Sequence, residues 1–271
     1  MDPWYRCVAC ALLLLNAVAH AAEDADVPAP SKWEGALGAL VSLSPAYAGG
    51  SGHRVSVTPV FYLRYKRVSI SNGGGFVSRR NQDDVIHGLG LDLVRDPRFR
   101  VNLALRLDGG RRSSDSAALA GIEDVRGTLR ARPSTSWQFD DGWKAAAGWS
   151  IDLLGHGGGQ VLDASLGRDR RLTPRTTWGA SAGLSWADAR HMRSYYGVTP
   201  AESAASGYAV YTPGSGLRNV SLGVGVRTEI DRRWVTLARA SVGRLLGPAA
   251  DSPLTSTTRQ WSVSGGVAYN F

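Results

Sequence analysis

The sequence predicts an antiparallel transmembrane β-barrel of about 12 strands, with short turns at one end and longer loops at the other. Three observations lead to this prediction: apolar and polar residues alternate, the polar face is made of small and basic residues, and tryptophans stand near the ends of the alternating segments. In residues 99–108 every odd position is Phe, Val or Leu, whereas the even positions are Arg, Asn, Ala and Asp. A soluble lipocalin-like barrel also alternates and is the alternative fold.

Twelve segments carry the alternating pattern along the chain. They are 32–43, 54–63, 67–72, 85–94, 98–108, 124–137, 143–153, 160–168, 175–186, 219–230, 233–245 and 259–271. The short connections are 64–66, 95–97, 138–142, 169–174 and 231–232. The long ones include 44–53, 109–123, 187–218 and 246–258. Short periplasmic turns that alternate with longer extracellular loops are typical of a barrel in the bacterial outer membrane.

The N-terminus has the features of an export signal. A basic residue precedes an apolar run centred on residues 12–15, and small residues at 19–21 form a cleavage site, so residues 1–21 are predicted to be a signal peptide. Residues 22–31 are acidic, contain proline and lack periodicity, which indicates a flexible periplasmic leader. The barrel then occupies residues 32–271, and we expect the mature chain in the bacterial outer membrane.

Composition and charge exclude several classes of protein. Beyond the first twenty residues, no apolar run approaches the roughly 20 residues that a membrane-spanning helix needs. Lys and Arg number 31 against 23 Asp and Glu, a net charge of +8 that favours phosphate-bearing partners. Outer-membrane lipid and lipopolysaccharide are expected partners, whereas nucleic acid is a poor partner for an exported chain.

The residues offer little support for catalysis. Four histidines follow the predicted signal peptide, at positions 53, 87, 156 and 191, and none of them has the spacing of a metal-binding motif. The glycine clusters 73–75 and 157–159 lack the Lys and Ser or Thr of a phosphate-binding loop. We therefore predict no catalytic residue, no cofactor and no metal.

The predicted lumen carries an excess of positive charge along one wall. This basic wall combines two adjacent strands and comprises Arg100, Arg106, Arg126, Arg130 and Arg132. Such charges either pair with carboxylates across a filled lumen or line a narrow path for anions. The pairing interpretation is the preferred one, because about twelve strands enclose a space that large side chains can mostly fill.

The last strand carries a further pattern. Trp261, Val263, Val267, Tyr269 and Phe271 share one face, and the chain closes on Tyr-Asn-Phe. The pair Tyr269 and Phe271 resembles the C-terminal signal by which barrel assembly machinery receives its clients. That machinery is therefore an expected partner.

The loop segments resemble the MltA-interacting protein and OmpV family of outer-membrane proteins. The matching residues include Pro45, Tyr47, Gly49, Tyr196, Gly197, Val198, Thr199, Ser206, Gly207, Asp251, Ser252 and Pro253. The resemblance implies an outer-membrane barrel and a scaffold that joins a murein transglycosylase to a murein synthase. Other members look like surface-exposed antigens.

Three functions follow as hypotheses. The first is a non-catalytic scaffold for murein-hydrolysing and murein-synthesising enzymes at the periplasmic face. The second is a narrow, anion-biased solute pore. In the third, residues 187–218 form a surface loop for adhesion or for closure of the barrel, and its tyrosines fold the loop back over the mouth.

Overall fold

The computed structural model describes residues 33–72 and 88–271, which form a closed barrel of twelve antiparallel strands. Each strand pairs with its neighbours in the sequence, and the first pairs with the last. The strands are β1 (Glu34–Pro45), β2 (His53–Tyr65), β3 (Val68–Ser71), β4 (Gly88–Arg95), β5 (Phe99–Asp108), β6 (Thr128–Gln138), β7 (Trp143–Asp152), β8 (Gln160–Thr173), β9 (Thr176–Ala187), β10 (Gly216–Glu229), β11 (Trp234–Leu245) and β12 (Arg259–Asn270). The predicted fold class is confirmed. The predicted signal peptide and leader, His87 and the glycines at 73–75 lie outside the described residues.

The two ends of the barrel differ in their connections. At the end that we call the turn end, the strands are joined by residues 66–67, 96–98, 139–142, 174–175 and 230–233. At the opposite end, the loop end, the described connections are residues 46–52, 109–127, 153–159, 188–215 and 246–258. Short and long connections therefore alternate around the described part of the barrel.

Inside the described ranges, most strand boundaries lie within two residues of the sequence prediction, and three differ by more. β8 extends to Thr173 because a register shift near its end lets it continue to pair with β9. β10 begins at Gly216, which pairs with the last residue of β9 before a second register shift. β6 begins at Thr128 and not at position 124, because Val125 pairs with Arg111 in an isolated bridge inside the loop.

The outward face of the barrel is apolar and exposed. Leu107 is 89% exposed and Val57 is 70% exposed, values that a water-soluble core would not tolerate. Trp143 and Trp234 lie at the turn end, and Trp149 and Trp261 lie near the loop end. An apolar band between two aromatic belts is the surface that a barrel presents to lipid.

None of the helices in residues 33–72 and 88–271 is long and apolar enough to cross a membrane.

Three short helices cover the loop end: α1 (Ala189–Tyr196), α2 (Pro200–Ser206) and α3 (Gly247–Ala250). The Asp188 side chain accepts the His191 N–H at 2.8 Å and so caps the N-terminus of α1. At α2, Thr199 and Glu202 form a capping box, and Gly207 ends the helix with a φ of +80°. We refer to the helices with loops 46–52, 109–127, 188–215 and 246–258 as the cap.

The cap has its own hydrophobic core. One buried cluster joins Met192 and Tyr196 of α1 to Leu245 and Ala249. A second comprises Ile122, Val198 and Leu254, with Tyr208 and Tyr211 against it. Because each cluster takes residues from different loops, the cap folds as one packed layer over the mouth of the barrel.

Candidate functional site

The basic wall of the lumen is held by specific partners. Arg130 lies on β6 and donates from Nε to Asp108 Oδ2 at 2.6 Å. Its Nη2 donates to the carbonyl oxygen of Gly158 at 2.9 Å, in the loop after β7. Arg100 and Arg106 lie on β5, half-buried on the same inward face. Arg130 therefore ties the wall to the edge of the cap.

Arg132 connects neighbouring strands at a place where the backbone pairing of β6 with β7 is incomplete. Pro133 has no N–H, and the backbone pairing of β6 with β7 is interrupted at residues 132 and 133. Arg132 Nη1 donates to Ser150 Oγ and to Asp163 Oδ2, both at 2.7 Å, and so links β6 to β7 and β8 from the inside. Gly148 leaves the space that the guanidinium fills. The side chains of Arg132, Ser150 and Asp163 therefore join the strands where the backbone pairing is interrupted.

One predicted member of the basic wall does not belong to it. Arg126 is exposed and lies two residues before β6, in the loop that follows the Arg111–Val125 bridge. The alternation of the sequence continues through positions 124 to 127, but the backbone there pairs inside the cap. The prediction that Arg126 lines the lumen is therefore wrong.

An apolar cluster occupies the lumen at the turn end, where the sequence predicts a polar face. Ala36, Val60, Tyr62, Val235 and Ala268 are buried together, and Leu40 and Leu237 pack against them. The sequence feature that points to this cluster is the poor alternation of apolar and polar residues in 233–245. That irregularity indicates a strand whose inward face is partly apolar.

An open cavity of about 580 Å³ occupies the lumen beside this cluster. The strands β8, β9 and β10 line it mainly with Gly, Ser and Thr, and the basic residues Lys144, Arg227 and Arg239 also contribute. Small residues on three adjacent strands leave this space unfilled, because they carry little side-chain volume.

The residues that carry the family resemblance meet in the cap. The Tyr47 hydroxyl donates to the Leu254 carbonyl oxygen at 3.0 Å, and the Ser252 hydroxyl donates to the Tyr196 carbonyl oxygen at 2.6 Å. Val198 pairs with Tyr211. The remaining ones end strands or helices or form turns: Pro45, Gly49, Gly197, Thr199, Ser206, Gly207, Asp251 and Pro253. Their shared property in the structure is that they shape and join the loops.

Arg111 and Glu202 form the polar centre of the cap, and neither is among the site residues predicted from the sequence. Arg111 is buried, and its guanidinium donates to the carbonyl oxygens of Tyr195 at 2.7 Å and Glu123 at 3.1 Å. Burial lowers the pKa of Arg111. Burial alone would raise the pKa of Glu202, but hydrogen bonds from Thr199 and Glu123 outweigh it, so that pKa lies below its ordinary value.

His191 belongs to α1 and is buried inside the cap, with 4% of its surface exposed. Its Nδ1 is 2.9 Å from the Gly158 carbonyl oxygen, which can only accept, so Nδ1 carries the proton. Nε2 is 3.4 Å from Nη1 of Arg218. Burial, followed by the Arg218 charge, lowers the pKa of His191 from 6.5 to about 4. The imidazole is therefore neutral at neutral pH and acts as a structural link.

The contacts described above join strands and loops. In the described part of the chain, no group of three or more His, Cys, Asp or Glu residues is placed to hold a metal ion. A cleft of about 350 Å³ in the cap is lined by Tyr47, Tyr196, Arg218 and Gln260, among others. Its tyrosines and arginine belong to the packing described above.

The closed barrel, its apolar outward face and its two aromatic belts define an outer-membrane β-barrel protein, located in the outer membrane. The chain belongs to the MltA-interacting protein MipA family, whose model matches residues 37–271. This confirms the resemblance seen in the sequence.

The similarity to individual proteins is low in sequence identity or covers only part of the chain. Outer membrane protein Omp26La of Vibrio anguillarum is 31% identical over 90 residues, which are 33% of this chain and 34% of that protein. The chain thus spans about a third of that relative's length. Among solved structures, the KdgM porin has 10% identity and a TM-score of 0.40, covering 87% of this chain and 99% of the porin. The COG4313 outer membrane channel from Pseudomonas putida F1 has 10% identity and a TM-score of 0.42, covering 92% and 98%. Similarity at this level says nothing about what the chain does.

Proposed function

We propose that this barrel is a non-catalytic platform that holds a murein transglycosylase, and through it a murein synthase, at the periplasmic face of the outer membrane. The name of the family supplies the class of partner. In barrels of this kind the short turns face the periplasm, so the turn end is the end that a murein enzyme would meet. The observation that carries the proposal is the contrast between a loop end covered by packed helices and a turn end that exposes charged side chains.

A cluster of arginines on two neighbouring turns and on the adjoining end of β8 is the best candidate for the docking surface. We call it the turn patch, and its members are Arg170, Arg171, Arg175, Arg232 and Arg233, all of them exposed. Arg175 donates to the Ile230 carbonyl oxygen at 3.3 Å and so joins the turn after β8 to the turn after β10. An exposed basic surface of this kind accelerates association with an acidic partner and selects against a basic one.

The platform is tested by binding of a purified, soluble murein transglycosylase to the folded barrel in detergent. We expect the folded barrel to bind and the heat-unfolded chain not to bind. The double variant Arg171→Glu, Arg175→Glu should weaken binding by about tenfold, which corresponds to about 1.4 kcal/mol. The matched control, Arg126→Glu with Arg193→Glu, makes the same change of charge at the loop end and should bind like the wild type. A folded barrel that captures no transglycosylase would refute the platform.

A narrow, anion-biased pore is the second candidate. The luminal cavity with Lys144, Arg227 and Arg239 favours it, because basic side chains at a constriction attract anions. Single-channel recording in a planar bilayer tests it. Arg239→Glu should lower the ratio of anion to cation permeability, and a wild-type barrel that never conducts would remove this candidate.

For membrane insertion, we propose that Tyr269 and Phe271 contact the barrel assembly machinery. Tyr269 packs edge-on against Trp234 with 5.2 Å between ring centroids, and Phe271 is exposed at the turn end. Replacement of Phe271 by Ala should slow the appearance of heat-resistant folded barrel in cells. An unchanged rate of assembly would contradict this role.

A further inference from the structure

Two arginines stand directly opposite each other on the outward face of the barrel, near the loop end. Arg244 of β11 pairs in register with Arg259 of β12, and both are exposed. The next pair on the same face is Val242 with Trp261, both exposed to the lipid side. Since two residues along a strand span about 7 Å, the arginines lie about that far beyond the Trp261 level. Interfacial tryptophans mark the start of the lipid headgroup region, so the arginines lie on the outer, polar side of that region.

The described residues place no carboxylate against the charge of this pair. Like charges directly opposite each other on neighbouring strands destabilise a sheet. Within residues 33–72 and 88–271, no carboxylate forms an ion pair with either guanidinium. By strand alternation, the other arginines on the outward face of the described strands are Arg168 and Arg170, at the opposite end of the barrel. Two uncompensated guanidinium groups therefore stand together on one side of the loop end.

The surroundings of the pair are amphiphilic. The strand neighbour Val220 lies beside Arg244 on the outward face, and Val242 and Leu222 continue the apolar surface toward the middle of the barrel. The His53 ring packs at a tilt against Trp261, with 4.2 Å between ring centroids, and extends the rim on the other side. A ligand at this place contacts two guanidinium groups at the headgroup level and apolar side chains below them.

We propose that Arg244 and Arg259 bind a phosphate group of outer-leaflet lipopolysaccharide, with its acyl chains on the apolar surface below. Guanidinium groups match the oxygens of a phosphate through paired hydrogen bonds, and two of them can share one dianionic group. The bound phosphate removes the repulsion between the two arginines. The site goes beyond the proposed platform, since it faces the lipid and not the periplasm.

Binding is tested with the full barrel in nanodiscs, by titration with lipopolysaccharide and measurement of retained lipid by native mass spectrometry. The double variant Arg244→Gln, Arg259→Gln should bind about tenfold more weakly than the wild type. The matched control is Arg168→Gln with Arg170→Gln, which removes the same charge from the outward face at the turn end and should bind normally. Both variants should show wild-type circular dichroism, because the substituted side chains lie outside the packed interior.

A second measurement needs no variant. Enzymatically dephosphorylated lipopolysaccharide should bind the wild-type barrel about tenfold more weakly than the intact form, because the phosphate is the recognised group. Equal binding of the two forms would overturn the proposal, as would unchanged binding by the Arg244→Gln, Arg259→Gln variant. Equally tight binding of phosphatidylglycerol would assign the site to any lipid phosphate, and would therefore also overturn it.

Discussion

Protonation of His191 should loosen the cap at mildly acidic pH. The neutral ring joins the Gly158 carbonyl oxygen to the Arg218 side chain, and it is nearly inaccessible to solvent. A second proton would have to be placed on Nε2, which faces the Arg218 guanidinium, with Arg130 also nearby. Asp188 is the acidic group close to the ring, and its favourable effect on the protonated form is the weakest of these influences.

The size of the effect follows from the two pKa values. The pKa of His191 is about 4 in the folded cap and about 6.5 when the ring is exposed to water. Because the folded pKa is lowered, the opened state takes up the proton first, and stability falls as the pH drops from 6.5 toward 4. At 1.36 kcal/mol per pKa unit the full loss is about 3 kcal/mol. Between pH 7.5 and pH 5 the expected loss is about 2 kcal/mol.

Hydrogen exchange of the α1 amides, residues 189–196, measures this loss in the cap itself. Exchange at pH 7.5 and pH 5, corrected for the intrinsic rates, gives the free energy of opening at each pH. In the wild type that free energy should fall by about 2 kcal/mol, a change of about thirtyfold in the opening constant. In His191→Gln the imidazole cannot contribute to the change in opening free energy between pH 7.5 and pH 5. All other titrating groups are the same in the two proteins. The difference between the two proteins therefore belongs to His191.

Two outcomes would refute the reasoning. If His191→Gln loses as much protection between pH 7.5 and pH 5 as the wild type, the dependence arises from other groups. If neither protein changes, the ring is hydrated and its pKa lies near the ordinary value. Amides of β9 serve as the internal reference, because they report the barrel wall and not the opening of α1.

Three further predictions concern single contacts. Gly159 has a φ of +55°, and a Cβ there would collide with the Asp188 side chain that caps α1, so Gly159→Ala should accelerate proteolysis of the cap; an unchanged digestion rate would contradict this contact. Glu202→Ala removes a capping box and should lower the opening free energy of α2, measured by hydrogen exchange, by about 1 kcal/mol. Glu202→Asp should restore little of this free energy, because the aspartate side chain is shorter. Asp163→Ala leaves Arg132 without its carboxylate and should lower the unfolding free energy of the barrel in urea by about 2 kcal/mol, less than for a fully buried pair; no loss would show that the pair contributes nothing.

The strands were predictable from the sequence because lipid imposes a simple rule on them. Outward residues at the level of the hydrocarbon layer must be apolar, and β5 follows this rule from Phe99 to Asp108 in both the sequence and the structure. The inward face obeys no such rule. Val60 and Val235 face the lumen although they are apolar, and alternation alone cannot assign a strand whose two faces are both apolar. The cluster at the turn end therefore escaped prediction.

The cap was beyond prediction for a different reason. Its contacts join residues far apart in the chain, such as Ser252 with Tyr196, 56 residues apart, and Arg111 with Tyr195, 84 residues apart. No local period marks such pairs. The sequence did show which loops mattered, through the segments that carry the family resemblance, but the structure gives those residues a role in packing. Arg126 illustrates the converse error, in which a local pattern continues past the point where the pairing partner changes.

The location of the charges changes what the net charge of +8 means. Arg130 and Arg132 in the lumen are paired with Asp108 and Asp163, and such pairs are neutral toward any partner. The turn patch and the Arg244 and Arg259 pair are exposed at the two rims, where a partner can meet them. Because exposed charges are screened within about 8 Å at physiological salt, binding at either rim should weaken as salt is added. The ion pairs in the lumen should respond far less to added salt. This difference in salt dependence distinguishes a platform that binds its partner at the rims from a pore that conducts through the lumen.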